Sequence, residues 1–193
     1  MAHGHGHGHG GEMSESTKTI AIIISVLALL LAIAETAGKS AQTDALGYNI
    51  ETANLWAFFQ AKTIRRTTLE TAADAMQLEV EFPRDPAMKE RLEKRVAEWR
   101  KEAQRYRSEP QTGEGSQELA KRAQETAKKR TVALAKYHHF EIASAAFQIA
   151  IVLASASIIT GAAYMLWAAG GLGALGIVFM AIALIAPTAV HIF

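Results

Sequence analysis

The chain has 193 residues, 50% hydrophobic and 20% charged, with a formal net charge of +1 and no cysteine. The missing cysteine excludes disulfides, thiolate nucleophiles and Cys-ligated zinc, and the interleaving of Lys and Arg with Glu leaves no basic stripe of the kind nucleic acids select. The charges are segregated, because Ile20–Ala34 and Ile142–Phe193 contain no Asp, Glu, Lys or Arg, which is the composition of a membrane protein carrying one large polar insert.

Residues 1–16 form a His/Gly-rich flexible leader in which His3, His5, His7 and His9 alternate with glycine. Imidazoles on so pliable a backbone can wrap a divalent Zn²⁺, Ni²⁺ or Cu²⁺ ion without selecting well among them. Two readings stay open, a natural metal-scavenging leader and an expression tag followed by a native start at Met13. Residues 17–38 supply the roughly 20 residues a bilayer requires. A competing reading is a secretory signal peptide, since Lys18 precedes the apolar core and Ala32-Ile33-Ala34 matches an A-x-A cleavage site.

Residues 39–141 read as helix almost throughout, being rich in Ala, Glu, Lys, Gln and Arg. Breakers fall at "FPRDP" (82–86), where Asp85 can cap a helix with Pro86 at its first position, and at "SEPQTGEGS" (108–116), where Ser116 can cap the next. Helices are therefore expected at about 44–81, 86–107 and 117–141. The first carries a seam of Leu55, Phe59, Lys62, Arg66, Leu69, Ala73, Met76 and Val80, apolar at both ends and basic in the middle. The second carries Met88, Leu92, Val96, Trp99, Ala103 and Tyr106. These patterns predict a long antiparallel, coiled-coil-like insert in which Lys62 and Arg66 find Glu93, Glu98 and Glu102 as partners. So thin an element has little core of its own, so Trp56, Phe58, Phe59, Lys62, Arg66 and Trp99 are expected to form a packing face within the insert or between copies.

Two further spans follow, 142–167 and 172–193, with "AAGG" at 168–171 as the turn of a hairpin. Ala146, Ala150 and Ala154 form a small-xxx-small ladder that permits close helix approach, a second reason to expect a homo-oligomer, and Gly173 and Gly176 offer the same on the last span. At the mouth of the second span, His138, His139 and Glu141 can share a layer with Glu35, and Gln148 lies about two turns inside. Such a layer can bind a cation or relay protons. The plainer reading is an interfacial belt for the layer and interhelical glue for Gln148. Pro187 and His191 suggest either a kink with a second proton site or simply a helix end.

Nineteen of the 20 Lys and Arg residues lie between the first and second apolar runs. The positive-inside rule then places the N-terminus in the periplasm and the insert and C-terminus in the cytoplasm.

The block Trp56-Ala57-Phe58-Phe59-Gln60-Ala61-Lys62-Thr63-Ile64, the hairpin opening "AFQIAIVLASAS" (146–157) with its Gln148, and "ETAGKSAQT" (35–43) resemble an uncharacterised bacterial membrane-protein family, domain of unknown function 4337. The resemblance implies an integral inner-membrane protein with one N-terminal span, a charged helical insert and a C-terminal hairpin, and it implies no activity. No phosphate-cradling loop, nucleophile context or paired-carboxylate motif occurs. The expected fold class is an all-α membrane protein with three transmembrane helices. The expected function is a non-enzymatic scaffold needing no cofactor, whose partners are the lipid bilayer and further copies of itself. The alternative is an oligomeric cation or proton pathway through Gln148 and the Glu35/Glu141/His138 layer.

Overall fold

A computed structural model describes residues 15–83 and 85–190. Among the described residues all regular structure is helical: α1 (Glu15–Glu81), α2 (Pro86–Arg107), α3 (Ser116–Thr160) and α4 (Ala163–Ile185). Three of these, α1, α3 and α4, are long and apolar enough to cross a membrane. The chain divides into two compact units, one made of residues up to Gln42 together with those from Leu134 onward, the other of Thr43–Ala133.

The first unit packs the start of α1, the end of α3 and all of α4 around Leu27, Ala34, Phe140, Ala143, Phe147, Ala150 and Ala154. Small residues set this packing. Gly38 lies opposite Phe140, where an added Cβ would stand 3.2 Å from the ring-bearing carbon, and a Cβ on Gly176 would stand 2.6 Å from the Phe147 ring. Around this core the outer surface is apolar as well: Ile159, Trp167 and Ile185 are 87%, 83% and 84% exposed. Such a surface is stable in lipid rather than in water.

The sequence placed the hairpin turn at 168–171, whereas the helix breaks at Gly161. Gly161 has φ +68°, the left-handed conformation that ends helices and that glycine adopts without strain. Its N–H donates to the Ser157 carbonyl, and the Thr160 hydroxyl accepts from the Ala162 N–H. Gly170 and Gly171 are instead helical, as glycines inside membrane spans often are. At the other end, α4 stops at Ile185 just before Pro187, so that proline marks a helix end and not a kink; His191 lies outside the described residues.

In the second unit α1 is one uninterrupted helix through Gly47, with its predicted seam turned inward: Leu55, Lys62, Ala73 and Val80 are buried, and Phe59, Arg66, Leu69 and Met76 partly so. Ala73, Val80 and Met76 pack on Val96, Leu92 and Trp99 of α2, while Leu55, Trp56 and Phe59 pack on Leu119 and Ala123 of α3. Asp74 meets Arg100 and Asn49 accepts from Arg130, so α2 and then α3 run antiparallel to α1 along successive stretches of it. Asp85 caps α2 by accepting from the Met88 N–H at 2.7 Å, with Pro86 at the first position as the sequence predicts. The cap of α3 differs: Ser116 is its first residue, the Gly115 carbonyl accepts from Leu119, and the Ser116 hydroxyl donates to the Arg107 carbonyl.

Candidate functional site

The first unit holds a groove of about 570 Å³ between α1 and α3. It sits at the border between the uncharged segments and the charged ones. Its buried lining is small or apolar, with Ala34, Gly38, Phe140 and Ser144, and its exposed edges carry Glu35, Lys39, Glu141, Ala145 and Gln148, with Tyr137 beside them. The Gln148 amide donates to Glu35 Oε1 at 3.1 Å, joining the apolar end of α3 to α1. Tyr137 donates to Glu141 Oε1 at 3.3 Å, and His138 Nδ1 stands 3.8 Å from Glu141 Oε2. Four of the five residues of the predicted layer thus come together. Glu35, Glu141 and Gln148 are exposed rather than enclosed, so the polar surface opens sideways, away from the packed core.

His139 is the exception. One position on from His138 turns it about 100° around the helix, which buries it to 1% exposure against α4 instead of in the groove. Its Nε2 hydrogen-bonds the Pro187 carbonyl at 3.0 Å and its ring stacks on Phe179 with centroids 6.0 Å apart. Nδ1 is buried without a partner. His139 therefore ties the end of α4 to α3.

The alanine ladder is also used within one copy. Ala146, Ala150 and Ala154 are 5%, 0% and 0% exposed, and Ala150 and Ala154 belong to the core packed with α1 and α4.

In the second unit the aromatic block surrounds Lys62, which is 7% exposed at the level where α2 ends and α3 begins. Its ammonium lies 5.4 Å from the Phe58 ring centroid and 5.3 Å from that of Tyr106. The carboxylates of Glu114 and Glu109 stand 3.6 and 4.0 Å away. The sequence offered Glu93, Glu98 and Glu102 as candidates for Lys62 and Arg66; the ion pairs are instead with the loop carboxylates for Lys62 and with Glu70, one turn along its own helix, for Arg66. The register explains the change: with Asp74 opposite Arg100, Lys62 lies past Glu93 and Glu98, though still close enough to Glu102 to help hold its carboxyl down. Glu102 goes to Arg105, whose guanidinium hydrogen bonds hold its carboxyl below the usual range. Trp56 packs edge-on to Phe59 with centroids 5.3 Å apart, and Trp99 lies under the Arg95 guanidinium in the α1–α2 contact.

The loop 108–115, which breaks the helix as the sequence predicts, is pinned. Ser108 donates to Glu118 Oε1 at 2.7 Å and the Glu109 N–H to Glu118 Oε2 at 3.2 Å. The Ser108 bond is the main reason the Glu118 carboxyl titrates below its ordinary value, with partial burial opposing it. A side chain at Gly115 would collide with that carboxylate and with the backbone at Ser108 and Glu109. The available signal was a glutamate in the first turn of α3, a position from which side chains reach back to preceding N–H groups.

His3, His5, His7 and His9 lie outside the described residues, and among the described residues no group of three His, Asp or Glu side chains is placed to hold a metal. No curated protein and no solved structure matches the chain. The model of the domain of unknown function DUF4337 matches residues 16–186, nearly the whole chain, and the protein belongs to that family.

Proposed function

We propose that the protein is a non-catalytic scaffold of the bacterial inner membrane, anchored by α1, α3 and α4 and assembled as a homo-oligomer through its polar unit. The observation that carries this reading is a second apolar stripe on α1. Leu46, Ile50, Ala53, Ala57, Ile64 and Leu78 fall on one helical face, opposite the buried seam, and all are exposed. A row of this length is costly in water and calls for a partner. Copies held in one bilayer share an orientation, so the stripe of one copy meets the same stripe of the next, with Ala53 and Ala57 allowing close approach and a coiled-coil-like seam forming between them. Light scattering of the detergent-extracted protein should give a mass above that of one chain, reduced to one chain by Ile64→Asp. A monomer at all concentrations for the unaltered protein would sink the proposal.

The alternative, a cation or proton pathway, draws support from the Glu35–Gln148 hydrogen bond at the border. The three-helix core is filled by Phe140, Phe147 and alanines, so such a pathway would run between copies. Proteoliposome flux that falls with Gln148→Leu would favour it over the scaffold.

A further inference from the structure

We infer that the groove between α1 and α3 binds the headgroup of a phospholipid bearing a primary ammonium. The inference rests on reading α1, α3 and α4 as membrane-spanning, and it is independent of self-association through the polar unit.

Its volume of about 570 Å³ lies in the range of small-molecule clefts, and it exists because the buried Ala34 and Gly38 carry little or no side chain to fill it. Two helices each contribute one carboxylate, Glu35 and Glu141, and α1 adds the Lys39 ammonium one turn from Glu35. That charge pattern is complementary to a zwitterion: the carboxylates take an ammonium and Lys39 takes a phosphate. The Gln148 amide, already donating to Glu35, presents its oxygen as a further acceptor.

A primary ammonium has three N–H groups to give to these acceptors, whereas a quaternary one has none and is held by aromatic cages instead. A metal ion suits the groove poorly, because no third His, Asp or Glu is placed to complete its shell among the described residues. The apolar end of the groove argues for a lipid over a free amine. Beyond Gln148 on α3, Val152, one turn on from Gln148, and Ile149, one turn on from Ala145, are 65% and 52% exposed. Acyl chains attached to a headgroup in the groove would lie along these side chains, burying apolar surface that is otherwise left bare.

The test is native mass spectrometry of the detergent-solubilised protein, titrated with phosphatidylethanolamine and phosphatidylcholine of identical chains and with water-soluble glycerophosphoethanolamine. The ethanolamine lipid should bind about tenfold or more tighter than the choline lipid, since only a primary ammonium can give hydrogen bonds to both carboxylates. Glycerophosphoethanolamine should bind far more weakly than the lipid. Glu35→Gln combined with Glu141→Gln should bring the two lipids level, and Ala145→Leu, which puts a larger side chain on the groove's lining while keeping both carboxylates, should weaken both. Equal binding of the two lipids by the unaltered protein overturns the proposal. So does glycerophosphoethanolamine binding as tightly as the lipid, which would mean a soluble amine ligand, or binding of both lipids that Ala145→Leu leaves unchanged. Run alongside, Ile64→Asp should keep the lipid preference whatever it does to the oligomer, which separates this inference from the scaffold reading.

Discussion

Lys62 shows how one side chain organises a junction. A lysine this buried is tolerated only because its ammonium meets the Phe58 and Tyr106 ring faces and two carboxylates, while its methylene stem packs in the seam. Lys62→Ala should therefore lower stability by about 1–3 kcal/mol, since stem and charge are lost together. Lys62→Met keeps the stem and should cost less. Thermal unfolding of the two variants checks this, and equal losses would mean that the charge, rather than the packing, holds the junction. The block around Lys62 was legible in the sequence as a packing face because its spacing matched the seam. Its partners were not legible, since ion-pair choice depends on a register that spacing within one helix does not set.

At the scale of the element, α4 is fixed by glycine at two kinds of position. Gly161 serves a left-handed conformation, and Gly176 serves a close approach, with the Phe147 ring filling the space a side chain would take. Phe147 is fully buried and cannot withdraw. Gly176→Val should thus destabilise the three-helix packing by about 1–3 kcal/mol, the usual cost of overpacking. Gly171→Ala, with nothing within 4 Å of the added carbon, should leave the melting temperature in detergent unchanged or raise it. A drop for Gly171→Ala as large as for Gly176→Val would contradict this packing. The sequence alone favoured the paired glycines as the turn, because glycine marks both turns and close contacts and composition does not tell them apart.

At the scale of the whole molecule, the distribution of charge makes a topological prediction. With 19 of 20 Lys and Arg residues between the first two apolar runs, the 108–115 loop should face the cytoplasm and the Gly161 turn the periplasm. The native chain has no cysteine, so single introduced thiols report cleanly. A membrane-impermeant maleimide should label Ala163→Cys in intact cells and Thr112→Cys only after permeabilisation. The reverse pattern would invert the orientation.

The sequence by itself determined the three apolar helices, the proline-initiated α2 and the inward seam of α1, because hydropathy and helical periodicity are local properties that survive any packing, and its motifs carried the family resemblance. Only the tertiary structure decided which residues meet. It used the alanine ladder inside one copy, turned His139 away from its neighbours in the layer, gave Lys62 its loop carboxylates, and opened the Glu35–Gln148 groove to the side. Those outcomes depend on how far one helix slides and rotates against another, and that is set by the sum of many contacts rather than by any one motif.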